Sequence, residues 1–303
     1  MAHSIFRIGN APYLDDGYFF VASKPADKLL VFVHGFGGGT GTWGGFPRYL
    51  NASAAFETVD ILFYNYNSLF RSAATTGAKL RTTIATFWDV KAALATRTVK
   101  YGSPRAQEAK ELLRSVAGVR QTRKRILERL LQPASRSGYE RIILACHSLG
   151  GVVARVALLH EGIAGGRTWL PNTRLVLFAP AHAGSPLPRQ VDGLASRVLD
   201  GLPWSLVKLG LRGFGKSPTH EDLETSSPLL RHLHAEHERL DRRRKFPGTC
   251  VSLIYGENES VVHPLGFVKD PAPRVLPGHD HFSICKPSGR FMTPVEAIVD
   301  ALS

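Results

Sequence analysis

Residues 142–154 read IILACHSLGGVVA: an apolar run, a serine between His147 and Leu149, and a second apolar run. A serine on a sharp strand-to-helix turn holds its Oγ exposed above a sheet, where it can act as a nucleophile. Such a turn needs small residues on both sides of the serine, because strand and helix pass close together there. Gly150 and Gly151 follow Ser148, and Cys146 stands where a glycine would complete G-x-S-x-G. The pattern holds in shape, though not to the letter. The chemistry it implies is attack of Ser148 on a carbonyl. That chemistry needs a base with an orienting partner, and donors for the negative charge that develops on the carbonyl oxygen.

The donors are sought at 29–39, LLVFVHGFGGG, an apolar run entering a glycine-rich loop. Glycines let a backbone approach substrate closely, and one preorganised N–H donor contributes on the order of 3–4 kcal/mol. The backbone N–H groups of Phe36 and of Leu149, the residue after the serine, are the expected oxyanion hole. A phosphate loop is disfavoured, because no Lys follows the glycines as G-x-x-x-x-G-K-[ST] requires. Trp43 and Pro47 interrupt the helix that a dinucleotide fingerprint would need.

Where a serine sits on such a turn, the acid follows a late strand and the histidine follows the acid. The apolar run 251–255 (VSLIY) is followed by GENES, with Glu259 at the loop tip as the expected acid and Glu257 as the alternative. Residues 278–287 (GHDHFSICKP) offer His281 as the base and His279 as the alternative. Asp280 either orients one of these histidines or shapes the turn. A His-x-His pair also suits a metal, but no third ligand has metal-site spacing, so neither metal nor organic cofactor is expected. The second histidine cluster, RHLHAEH at 231–237, reads as the exposed face of a cap helix.

These side chains need a scaffold. The apolar runs at 29–33, 59–64, 142–145, 175–178 and 251–255 are each about a strand long. They are continuous rather than alternating, which suits strands buried in a parallel sheet. Helical patterns at 121–131, 151–160 and 294–302 lie between and after them. The alternation predicts a doubly wound α/β sheet whose strands end at one edge, where such folds keep their sites. Two segments exceed that scheme, 71–118 and 185–245, and both are expected to be helical excursions on one domain spanning 1–303. Within the second, 191–214 is rich in Leu, Val and Trp204 and suits a lid over an acyl pocket.

The motifs in order resemble those of α/β-hydrolase serine esterases, closest to the lipase-like family that includes GPI inositol-deacylase-type hydrolases. The likeness covers about 200 residues: VFVHGFGG (31–38), TWGGFP (42–47), ILFYNYNS (61–68), ACHSLGG (145–151), FAPAHAGSPL (178–187), YGENESVV (255–262) and HDHFSICKP (279–287). The resemblance implies an α/β-hydrolase fold with a mostly parallel sheet and helical insertions. It places the nucleophile on Ser148, the acid on Glu259, the histidine on His281 and an oxyanion donor on Phe36. It implies hydrolysis of a carboxylic ester, with a hydrophobic or lipid substrate preferred. The alternative is a receptor or scaffold that keeps the fold without the activity.

Composition bounds the rest. The 303 residues are 44% hydrophobic and 21% charged, which is globular composition. The net charge of +13 first suggests an acidic partner such as nucleic acid. Fifteen basic and four acidic residues between 71 and 136 carry +11 of it, apart from the catalytic motifs. Ile84, Phe87 and Trp88 lie in the same stretch, and apolar residues among cations suit an anionic membrane surface better than a specific nucleic acid. Three widely spaced cysteines form no disulfide framework and fit a reducing compartment. The start, MAHSIFRIGN, has no apolar signal region, so a cytoplasmic protein with peripheral membrane contact is expected.

Overall fold

The computed structural model describes residues 3–8, 17–95, 139–165, 169–185, 218–225, 227–242, 249–264, 266–267 and 269–303. The basic helix expected at 121–131 and the lid expected at 191–214 lie outside them. Among the described residues the chain forms one eight-stranded sheet. Its strands are β1 (His3–Ile8), β2 (Gly17–Ala22), β3 (Lys28–Val33), β4 (Val59–Tyr64), β5 (Arg141–His147), β6 (Thr173–Phe178), β7 (Cys250–Asn258) and β8 (Arg274–Asp280). The spatial order is β1-β2-β4-β3-β5-β6-β7-β8. Only β2 runs against its neighbours, β1 and β4, and the remaining pairs are parallel. This is the α/β-hydrolase fold.

The five apolar runs all became strands. Three further strands, β1, β2 and β8, were not among those runs, although β2 carries an apolar run of its own, YFFVA. Strands β1 and β2 form an antiparallel ribbon at one edge, and β8 forms the other. Strand β8 reads RVLPGHD, is mostly solvent-facing, and contains Pro277. An edge strand has one ladder to satisfy, so it tolerates a proline and needs no continuous apolar run. By contrast, every residue of β4, and every residue of β3 and β5 after the first, is buried.

The helices are α1 (Phe46–Ala52), α2 (Ala73–Ala95), α3 (Leu149–Ala164), α4 (Pro218–Leu223), α5 (Pro228–Arg242) and α6 (Thr293–Leu302). Below the glycine-rich loop, Phe32 of β3 stacks on Phe63 at 4.5 Å and meets Trp43 and Phe46 edge-on or tilted at 4.8 and 5.1 Å. Burying rings of this size contributes roughly 2–3 kcal/mol each, which anchors both ends of the loop at 34–45. Helix α2 lies along α3 so closely that a Cβ on Gly77 would sit 2.5 Å from Val156 Cβ. Leu80, Ile84 and Phe87 of α2 are buried in the common core, and Phe87 touches Phe19 at 4.8 Å. Ile84 and Phe87, apolar residues among the cations, thus dock α2 on the body of the fold and do not face outwards.

Candidate active site

The parallel ladder brings the carboxyl ends of β3, β5, β6, β7 and β8 to one edge, with Val33 level with Cys146, His147 with Phe178, and Asn258 with Asp280. Four of the candidates lie just past those ends: Phe36 after β3, Ser148 after β5, Glu259 after β7 and His281 after β8, whereas Glu257, His279 and Asp280 lie within β7 and β8.

Ser148 has φ 53° and ψ −123°, a backbone region that a side chain rarely occupies. The surroundings over-determine it. Its N–H donates to the Phe178 carbonyl at 3.0 Å, and its own carbonyl accepts from Gly151 N–H at 2.9 Å and Ala181 N–H at 3.2 Å. A Cβ on Gly150 would collide with the Val33 carbonyl, and one on Gly151 would come within 2.8 Å of Pro180. Those two glycines let helix α3 start directly beneath the loop after β3. Cys146 occupies the remaining small-residue position, fully buried, and burial pushes its thiol well above the ordinary range. It is a packing residue that the turn accommodates.

The histidine and the acid meet. His281 Nδ1 lies 3.1 and 3.0 Å from the two Glu259 carboxylate oxygens, with both side chains 4% exposed. A carboxylate only accepts, so Nδ1 carries a proton and Nε2 is the nitrogen left free of the carboxylate. Glu259 Oε1 also accepts from the N–H groups of Val261 and Val262 at 2.8 and 3.0 Å, which fixes the carboxylate. Glu257 is exposed and instead accepts from Gly278 N–H at 3.1 Å. His279 stacks on Phe291 at 3.7 Å, within β8. Asp280 shapes the turn: its Oδ1 accepts from Phe282 N–H, Ser283 N–H and Ser283 Oγ–H at 3.1, 2.8 and 2.7 Å.

His147 ties the elbow to this loop. Its Nε2–H donates to the His281 carbonyl at 2.8 Å, and the two rings lie 4.8 Å apart. Burial, reinforced by His281 nearby, holds His147 well below the ordinary imidazole range, so it is a neutral donor. On the other side, a Cβ on Gly35 would sit 2.8 Å from Ser148 Cβ, so the glycine-rich loop rests on Ser148. Among the described residues, no hydrogen bond joins Ser148 Oγ to His281. In ligand-free enzymes this bond is often long and tightens only with substrate.

The cluster at 231–237 is a correction. Only His232 is exposed; His237 is buried and His234 half-buried. His234 stacks on Phe267 at 4.0 Å and reaches the His182 carbonyl, while His237 reaches the Arg155 carbonyl. They dock α5 on α3. Among the described residues, no group of three or more His, Cys, Asp or Glu is disposed to hold a metal ion. The three cysteines are free and buried, and burial pushes Cys250 and Cys285 up to about 12.

No protein-family model matches the chain, and no curated protein matches its sequence. Solved structures align with it over most of its length at low identity. A monoacylglycerol lipase from Paleococcus ferrophilus is 18% identical over 100% of this chain and 98% of its own, with a TM-score of 0.45. A soluble variant of monoglyceride lipase from Saccharomyces cerevisiae is 12% identical over 100% and 96%, with a TM-score of 0.44. A structure of carboxylesterases from the thaumarchaeon Nitrososphaera gargenis is 11% identical over 97% and 98%, with a TM-score of 0.47. Likenesses this distant say nothing of chemistry, which has to rest on the residues themselves.

Proposed function

We propose that the protein is a serine hydrolase that cleaves carboxylic esters through an acyl-enzyme. The observation that carries this reading is the His281–Glu259 pair. Its Nδ1 proton is directed into a fixed carboxylate, beside a serine held at positive φ. Ser148 Oγ attacks the ester carbonyl carbon and its proton passes to His281 Nε2. The N–H groups of Phe36 and Leu149 receive the oxyanion. Collapse of the intermediate expels the alcohol, which takes the proton back from His281. Water, deprotonated by the same nitrogen, then releases the acid and restores Ser148.

A hydrophobic acyl group is the proposed substrate class, on the strength of the apolar segment 191–214 and the resemblance to lipase-like esterases of the GPI inositol-deacylase type. The experiment is labelling by a fluorophosphonate probe, together with hydrolysis of nitrophenyl esters from short to long chain. Wild type is expected to be labelled and Ser148→Ala not, with ester turnover falling by about 10⁴–10⁶. Equal labelling of the two would sink the nucleophile. An unlabelled wild type that turns over no ester but binds a partner would make it a receptor on a hydrolase scaffold.

A further inference from the structure

We propose that His34 is a positioning residue that sets the direction of the Phe36 N–H, the oxyanion donor, by gripping the other end of the same peptide unit. This rests on the ester-hydrolase reading above. A trans peptide is planar, so its C=O and N–H point in opposite directions and turn together. The Gly35 carbonyl and the Phe36 N–H belong to one such unit. The Gly35 carbonyl is held by His34 Nδ1 at 2.8 Å and by Gly38 N–H at 3.1 Å. Fixing that oxygen fixes where the Phe36 N–H points.

The protonation of His34 follows from its partners. The Tyr66 backbone N–H lies 3.2 Å from His34 Nε2 and can only donate. Nε2 is therefore the acceptor, and the single ring proton sits on Nδ1, facing the Gly35 oxygen. The tautomer is imposed by the backbone of the neighbouring strand's extension. Tyr66 also stacks on the imidazole at 4.3 Å and 11°, and its hydroxyl donates to the His34 carbonyl at 2.7 Å. His34 is 1% exposed, so it has no path to substrate as a base.

The peptide after Phe36 is pinned from the same segment, because Gly37 N–H donates to Ser68 Oγ at 2.9 Å. Phe36 thus lies between two fixed planes in a loop that contains four glycines between 35 and 39. Such a loop would otherwise be costly to order. Electrostatic catalysis depends on donors being oriented before the charge develops. His34, Tyr66 and Ser68 supply that orientation without touching the substrate.

The test compares kcat, KM and the inhibition constant of an alkyl trifluoromethyl ketone, whose hemiketal oxyanion occupies the hole, using the full chain. His34→Leu is expected to lower kcat about 100-fold and weaken the ketone in proportion, the scale of losing one donor, with KM within about threefold of wild type. His34→Asn, whose side-chain N–H replaces Nδ1–H, is expected to recover most of both. A folded His34→Leu with wild-type kcat and ketone affinity, or an Asn variant as poor as Leu, overturns the proposal. If His34→Leu does not fold, Ser68→Ala replaces it. An about tenfold loss of kcat at constant KM supports the proposal, on the same logic of a misaligned donor, and an unchanged kcat overturns it. A wild-type chain that neither cleaves the ester nor binds the ketone overturns the hydrolase reading and this inference with it. An active wild type matched by its His34 and Ser68 variants overturns only this inference.

Discussion

Ser148 carries a conformational cost that packing alone does not require. Non-glycine residues at such angles cost on the order of 1–3 kcal/mol, offset here by hydrogen bonds with Phe178 and Ala181 and with Gly151 of the helix that follows. Removing the hydroxyl and removing the strain are separable changes. Ser148→Gly is expected to be more stable than Ser148→Ala by roughly 1 kcal/mol in urea unfolding, because only glycine relaxes at this φ. A second contrast belongs to the carboxylates. Glu259→Gln leaves a side chain that can present an N–H to His281 and favour the wrong tautomer, with an expected loss in kcat of about 10²–10⁴. Glu257→Gln is expected to leave kcat near wild type, since that carboxylate faces Gly278. Equal losses in the two variants would refute the assignment of the acid.

Helices α3 and α5 and the loop after the acid form a unit behind the site. Arg155, on the helix that begins after Ser148, is ion-paired to Asp270, and both side chains are 4% exposed. The guanidinium also lies 4.5 Å over the Phe267 ring. Asp270→Ala would leave Arg155 buried without its counter-charge, with an expected cost of about 3–5 kcal/mol in chemical denaturation. The same region predicts an acid limit. Burial, reinforced by Arg155, holds His182 well below the ordinary range and brings His237 down to about 3. His147 is lowered in the same direction. In the unfolded chain these imidazoles protonate near pH 6.5, whereas in the native chain His237 does so only near 3. Below pH 6.5 the unfolded state therefore binds more protons, and stability falls as pH drops towards 3, by up to about 1.4 kcal/mol per pH unit and group. Urea midpoints at pH 7.5, 6 and 5 should fall steadily, and His237→Gln, which keeps a donor for the Arg155 carbonyl, should flatten the slope. A slope identical to wild type would mean that His237 is not one of the groups responsible.

At the scale of the molecule, the concentrated charge has changed its meaning. Arg81 is paired with Glu161 at 2.8 Å, and Ile84 and Phe87 are inside. Helix α2 is therefore a docked element of the fold, and Ile84 and Phe87 are not available to lipid. Among the described residues no helix is long and apolar enough to cross a membrane. Attachment to an anionic surface is a proposal that rests on the cations beyond α2. Neutralising Arg120, Arg123, Lys124 and Arg125 together is expected to lower co-sedimentation with anionic vesicles at low salt. Unchanged co-sedimentation would remove the membrane from the account of the charge.

How much was legible varied with the kind of signal. The central strands were readable because burial on both faces demands unbroken apolar runs, as in LLVFV and VDILFY. Strand β8 was not, because an edge strand with a proline carries no such run. The roles of His34, Tyr66 and Ser68 were invisible, although their motifs were singled out. The bonds that join them span about thirty residues, and no local pattern encodes that distance. His234 and His237 were misread for a related reason, since a polar residue on an amphipathic helix looks exposed until its buried partner is known.

The sequence by itself determined the strand–Ser148–helix turn, the glycine-rich loop and the chain order of the candidate serine, acid and histidine. A strand–Ser–Gly–helix turn is a local object whose residues are adjacent in the chain. Only the tertiary structure decided which carboxylate and which histidine meet. Glu257 and Glu259 are two residues apart, as are His279 and His281, and in extended chain such pairs share a face. Strand β7 ends at Asn258 and β8 at Asp280, with an irregular register between them. Glu257 and His279 remain within the strands, at the irregular stretch, while Glu259 and His281 fall just past the strand ends, where the chain turns and the two side chains face each other.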